Sequence, residues 1–215
     1  MKKKIILLIL FIIVIILLVY LMYRLNFIKH KMYTNEDFNI KKYTSLIDKD
    51  NDGIDDQTDI LENVRKYIDT NPQYQSKYYD GGYPTDNYGV CTDVVAFGLL
   101  GSGYDLKELV YNDIKNNRDK YDIEIIDKNI DFRRVKNLKI YFNHHAIKLT
   151  NDIRDINNWQ GGDIVIFDNH IGIVSDMRNK NGIPFIIHHA NPYQKYYEED
   201  ILEYRTDLYG HFRIS

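Results

Sequence analysis

Cys91 lies in the run Gly89-Val90-Cys91-Thr92-Asp93-Val94-Val95 and is the only cysteine of the 215-residue chain. A thiol is a good nucleophile only as thiolate, and the first turn of a helix favours that form through its dipole and free amides. The apolar pattern predicts such a helix over 91–100, closed by Gly101 and Gly103, with Gly89 giving the backbone room to bend into it. Amides at that helix start can also line an oxyanion hole. The competing reading is a buried, inert cysteine, common for a free thiol.

A base must then come from elsewhere in the chain. Of the seven histidines, His30 follows an apolar N-terminal stretch, and His144 and His145 end a predicted helix, where dipole stabilisation explains them. His170, His188 and His189 stand on predicted strands and are the candidates.

The elements that must position these groups change character along the chain. Apolar residues at helical spacing predict helices over 57–69, from a cap at Asp105 through Ile114, and over 135–142. Residues 74–88 carry five Tyr among Gly81, Gly82 and Pro84, and read as an irregular segment. The last third holds β-branched runs at 163–167, 170–176 and 183–189, separated by turn residues. Helices followed by an antiparallel sheet make an α+β class.

In an antiparallel hairpin the numbers of facing residues sum to a constant set by the turn. A loop over 177–181 centred on Asn179 gives 358 and sets His170 opposite His188; a half-step later gives 359 and His189. Adjacent residues point to opposite faces, so only one of the two can serve.

The order of these segments resembles the NlpC-type cell-wall cysteine peptidases, which have a papain-like fold. The longer match resembles the bacterial domain-of-unknown-function family 1287. It is carried by Tyr88 to Val95, Ile130 to Leu138, Trp159 to Asp163, His170 to Asp176, and Gly210-His211-Phe212-Arg213. The resemblance implies N-terminal helices packed on a small antiparallel sheet, Cys91 as nucleophile, His170 as base, and a polar residue on the next strand orienting the imidazole. The apolar pair before His188 matches that pattern and favours His188, with His189 facing the other side of the sheet. The peptidases follow their Cys with Ser-Gly, whereas Thr92-Asp93 follows here. Arg133 and Arg134 could hold a substrate carboxylate bidentately, as peptide stems would require, with Tyr88 beside the nucleophile as a further substrate contact. Salt bridges to the many Asp are the alternative for the arginines.

A separate signal is the ladder Asp48, Asp50, Asp52, Asp56 and Asp59, at positions 1, 3, 5, 9 and 12 of a loop with Gly53 at 6. Calcium takes six to eight oxygens around such a turn. The ladder resembles the aspartate-rich calcium loops of thrombospondin type 3 and dockerin repeats, which implies a structural Ca2+. A solvated acidic turn capping the next helix is the alternative.

Ile5 to Met22 carries no polar side chain other than Tyr20 and is flanked by Lys2, Lys3, Lys4 and Arg24. That length is near the roughly 20 residues needed to cross the hydrocarbon core. A cleaved signal normally ends in small residues, and no Ala, Gly, Ser or Cys precedes Ser45. The expected organisation is a transmembrane anchor over 1–26, a stalk over 27–47, and a hydrolase-like domain over 48–215 outside the membrane. The first 31 residues hold six of the 28 Lys and Arg and none of the 31 Asp and Glu, leaving 22 basic against 31 acidic beyond them. That balance argues against nucleic acid as a partner.

The expectation is a membrane-anchored thiol amidase or peptidase acting on peptidoglycan or other cell-envelope peptides, with no organic cofactor. The rival readings are a binding module on an inactive scaffold of the same kind, and a zinc hydrolase built on His170, His188 and His189.

Overall fold

The computed structural model describes residues 2–214. Its first element, α1 (Lys2–Arg24), exposes its apolar side chains from Ile5 to Tyr23. The helix is long and apolar enough to be a membrane span or a signal sequence.

The segment after α1, expected as a stalk over 27–47, is bonded to the domain. Tyr33 and Arg178 exchange backbone hydrogen bonds of 2.9 and 2.8 Å. The fully buried Arg178 guanidinium donates to Asn35 Oδ1 at 2.6 Å, Trp159 O at 2.6 Å and Gly182 O at 2.8 Å. His30 is buried, 2.9 Å from Asp200 Oδ2, and its ring stacks on Tyr23 at 3.8 Å. The segment is a strap whose polar groups find partners on the domain. It follows neither a helical nor a strand repeat, so periodicity could not reveal it.

The expected helices form: α2 (Asp56–Asp69), α3 (Cys91–Gly101), α4 (Leu106–Asn116) and α5 (Val135–His145). Asp55 caps α2 through Thr58 N–H, and Asp105 caps α4 through the amides of Lys107 and Glu108. Their apolar faces meet in one core, where Ile60 and Val64 of α2, Val94 and Leu99 of α3, Val110 of α4 and Leu138 of α5 are fully buried.

Two short strands, β1 (Gln73–Tyr74) and β2 (Tyr88–Gly89), pair in parallel within the tyrosine-rich segment. The others are β3 (Ile147–Lys148), β4 (Ile164–Phe167), β5 (Ile171–Arg178), β6 (Pro184–Ile187), β7 (Glu198–Glu199) and β8 (Leu208–Arg213). They form one antiparallel sheet in the order β3-β8-β4-β5-β6-β7. Ile164, Ile166, Ile171 and Ile173 face the helices, while Val165, Phe167 and Val174 build a second core with Trp159, Ile183 and Leu202. Burial on both faces is why β4 reads as an unbroken apolar run.

Strand β8 was not expected, because its inward residues include His211 and Arg213. Both end on the fully buried Asp163 at the head of β4: His211 Nε2 lies 2.9 Å from Oδ2, and Arg213 Nε donates to Oδ1 at 2.7 Å. Gln57 Nε2 and Gln160 N–H complete the set at 2.8 and 2.9 Å. The Trp159-to-Asp163 and His211-to-Arg213 motifs are thus one buried polar hub that fixes β8 to β4.

The β5–β6 register differs from both values expected. Ile173 faces Ile187 and Val174 faces Ile186, a constant of 360, and the register shifts between Val174 and Arg178. Asn179 Oδ1 accepts from the amides of Asn181 and Ile183, which moves the turn later than Asn179. A shift of two keeps every side chain on the face expected from 358.

Candidate active site

Cys91 is the first residue of α3, and the third, Asp93, reaches back to accept from Val90 N–H at 2.8 Å. Asp93 also takes a bidentate pair from Arg133, Nε to Oδ1 at 2.6 Å and Nη2 to Oδ2 at 2.8 Å, while Nη1 donates to Lys77 O at 2.6 Å. Both side chains are buried, so Arg133 is not the substrate-binding group expected of it. It fixes the helix start that carries the thiol. Arg134 is exposed, its Nε 3.7 Å from Asp131 Oδ1. Tyr88 is half-buried, with Lys77 Nζ 3.5 Å from its ring centroid. Gly89 is required by close approach: a Cβ there would lie 2.2 Å from the Tyr67 hydroxyl.

His170 sits in the tight turn before β5, held by the bond from Phe167 N–H to its carbonyl at 2.8 Å. Its Nε2 is 2.9 Å from Nδ1 of His188, with the two rings nearly perpendicular. His188 follows the last residue of β6, and the two rings meet along the diagonal of the hairpin. Gly172 makes this possible, since a Cβ there would lie 2.8 Å from Ile187 O and 3.2 Å from His188 Cβ. The backbone amide of Ile171, next to His170, reaches the Cys91 thiol.

The electrostatics differ from the preformed thiolate that a helix start favours. Cys91 keeps some exposed surface, yet the atoms around its sulfur withhold solvent and push the thiol up to about 11, with Asp93 adding to the rise. The amides of Ile171 and Thr92 act in the other direction without prevailing. Burial likewise holds His170 and His188 down at about 3 each. At neutral pH the site holds a neutral thiol and two neutral imidazoles.

His189 is not turned away from the site. It lies beyond the last paired residue of β6, where strand alternation no longer applies, and packs edge-on against Tyr74 at 5.2 Å and Tyr197 at 5.1 Å. Tyr74 in turn is close enough to Cys91 for a thiolate to raise its phenol. A cleft of about 300 Å³ opens here, lined in part by Pro72, Tyr74, His189 and Tyr197.

Glu199 on β7 is a member that the sequence did not disclose. Its Oε2 lies 3.3 Å from His188 Nε2, off the hydrogen-bond direction, so that Nε2 is buried with no partner. Glu199 follows Tyr196-Tyr197-Glu198 and precedes Asp200, a run with the composition of an exposed acidic turn.

Possible metal ligands gather elsewhere. Among the described residues, the sets of His, Cys, Asp or Glu with ligand atoms within 4.8 Å of one another are Asp48-Asp50-Asp52 and Asp113-His144-His145. His170, His188 and His189 do not converge in this way. In the acidic loop Asp48 accepts from Gly53 N–H at 2.9 Å and Asp52 from Ile54 N–H at 2.8 Å. Asp56 and Asp59 depart from the expected ladder: Asp56 accepts from Lys49 N–H at 2.7 Å and from the Tyr104 hydroxyl, and Asp59 from Asn63 Nδ2 at 2.7 Å. The first half of the loop gathers the carboxylates of Asp48, Asp50 and Asp52, and the second half is bonded into the domain.

The family model described as "Domain of unknown function (DUF1287)" matches residues 61–214. The chain belongs to this family. All the groups of the candidate site, from Cys91 to Glu199, lie inside the matched range. A family relative, "Uncharacterized protein YijF" of Escherichia coli (strain K12), is 36% identical over 151 residues, covering 66% of this chain and 72% of the relative. No solved structure matches the chain.

Proposed function

We propose that this protein is a membrane-anchored thiol hydrolase of the papain-like NlpC type, cutting an amide bond in peptidoglycan or another cell-envelope peptide. The observation that carries the reading is the His170–His188 hydrogen bond, presented at the start of the strand whose Ile171 amide reaches Cys91. Thiol and imidazole are neutral at rest, so the proton passes to His170 as sulfur attacks the carbonyl rather than before. The amides at the start of α3 receive the oxyanion, the amine leaves with the proton, and water releases the acyl group from Cys91. Arg134, exposed beside Asp131, is the guanidinium offered to a substrate carboxylate, and the cleft beside Tyr74 and His189 takes part of the peptide.

In this reading α1 stays in the membrane with the domain outside it, and the strap holds the domain against the membrane end of α1. Asp48, Asp50 and Asp52 clamp a structural Ca2+ at the start of the domain.

The test is digestion of purified wall fragments, with products identified by mass spectrometry, by the full chain and by Cys91→Ala. New amine and carboxyl ends produced only by the unsubstituted chain support the reading. Their absence overturns it in favour of a binding module on the same scaffold, which the raised thiol also fits. Such a module keeps its cellular role in Cys91→Ser.

A further inference from the structure

We propose that Glu199 is a positioning residue: as a carboxylate it sets which nitrogen carries the proton in both imidazoles, and so makes His170 a base. The inference rests on the reading of Cys91 and His170 as nucleophile and base.

A neutral imidazole has one N–H and one bare nitrogen. Two neutral rings followed by one carboxyl therefore allow two arrangements in which each facing pair has one donor and one acceptor. With Glu199 ionised, Nε2–H of His188 points to Oε2, its bare Nδ1 accepts from Nε2–H of His170, and Nδ1 of His170 is left bare. With Glu199 protonated, its hydroxyl donates to Nε2 of His188, Nδ1–H of His188 donates to Nε2 of His170, and the His170 proton moves to Nδ1. Nε2 of His170 is occupied by His188 in either case. Nδ1 is thus the nitrogen left for the thiol, and it can accept a proton only in the first arrangement.

Three features support the assignment. Oε2 of Glu199 and Nε2 of His188 are 3.3 Å apart, and that nitrogen has no other partner in a buried position. Glu199 is itself 8% exposed and is anchored by pairing of its strand with β6, Ile186 facing Glu199 and Ile187 facing Glu198.

The other charged groups around Glu199 are few. His30 of the strap favours the carboxylate, and Asp200 is paired with His30. Lys195 shares a small cavity with Glu199, and Glu198 is held by Arg65 at 3.2 Å. Arg205 acts on His170 and His188, disfavouring their protonated forms. Burial prevails over the attraction of His30 and raises Glu199 to about 7, which sets the exchange of arrangements in the neutral range.

The experiment is two-bond 1H–15N correlation on the histidine-labelled full chain in detergent micelles, from pH 5.5 to 8.5, with His170 and His188 assigned by single substitution. Both rings are expected to be Nε2–H at pH 8.5 and to change together to Nδ1–H as the pH falls through about 7. In Glu199→Gln the rings keep one arrangement across the range, and in Glu199→Asp the change persists at a shifted pH. A titration of the unsubstituted chain in which the rings never exchange nitrogens overturns the proposal, whether or not a variant folds. So does an exchange that survives Glu199→Gln. The readout needs no turnover: loss of the hydrolase reading would show as activity indifferent to Cys91→Ala, with the exchange of protons intact.

Discussion

Arg133 and Asp93 form a bidentate ion pair, 2.6 and 2.8 Å, inside the turn of backbone that presents Cys91. Both side chains are almost wholly shielded, at 2% and 0% exposure. Removing one partner of such a pair leaves an uncompensated buried charge, which costs about 3–5 kcal/mol. Arg133→Ala is therefore expected to lower unfolding free energy by about that amount in denaturant titration. An Arg133→Met, Asp93→Leu double variant, which strands no charge, should lose much less. A loss below about 1 kcal/mol in the single variant would return Arg133 to the role of a substrate contact.

The Cys91 thiol should behave as a shielded one. With its ionisation pushed up to about 11, only a small fraction is thiolate at neutral pH. Iodoacetamide is expected to alkylate it more slowly than a free cysteine at pH 7, with a rate rising about tenfold per pH unit toward that value. Alkylation faster than a model thiol at pH 7 would mean that a thiolate is already formed at rest.

The buried imidazoles also fix how stability follows pH. His170 and His188 are held at about 3 in the folded protein, against 6.5 when free. Below pH 6.5 the unfolded chain binds protons that the native one refuses, so this contribution is present above 6.5 and is lost as the pH falls toward 3. Each group contributes at most about 1.4 kcal/mol per pH unit in that window. Glu199, raised to about 7 from 4.5, has the opposite sign and loses stability as the pH rises between those values. Two groups outweigh one, so the melting temperature should fall on acidification from pH 6.5 to 4. His188→Gln should flatten that slope, and an unchanged slope would show that this imidazole is not held neutral by burial.

For the acidic loop, millimolar Ca2+ is expected to raise the melting temperature, since a ligand bound only to the native state stabilises it. Asp50→Ala with Asp52→Ala should remove the shift, whereas Asp59→Ala should destabilise the domain with the shift retained, because Asp59 is bonded to Asn63. No shift in the unsubstituted chain would leave the loop as a self-bonded acidic turn.

What the sequence disclosed was whatever periodicity and end signals encode. The helix starts at Asp56, Cys91 and Leu106 and the three apolar strands all follow from residue spacing. Strand β8 escaped because His211 and Arg213 point inward to Asp163, and a buried polar strand has no apolar alternation to detect. The strap over 27–47 escaped for the same reason, its order coming from partners such as Arg178 far along the chain. Arg133 and Glu199 were opaque in different ways. Arg133 was open to a substrate contact or a salt bridge and forms the buried salt bridge, whereas Glu199 sits in an acidic run with no apolar signal and stands behind His188.

Separating His188 from His189 tests the geometry of the site most directly. Both side chains are buried and both reach the site, but by different routes. His188 bonds the imidazole of His170, so its loss leaves that ring free to rotate and to carry its proton on either nitrogen. His189 touches Tyr74 and Tyr197 at the cleft wall and makes no hydrogen bond to His170. Turnover of a wall peptide by His188→Ala should therefore fall by a factor on the order of 100 or more in kcat, the scale of a lost acid–base alignment. His189→Ala should act mainly on KM, with a change of a few-fold that follows the loss of one wall of the cleft. His188→Asn, which can still accept from Nε2–H of His170, should recover part of the loss. A kcat loss confined to His189→Ala would mean that His189 orients His170 during turnover, and that the His170–His188 bond is only a packing contact.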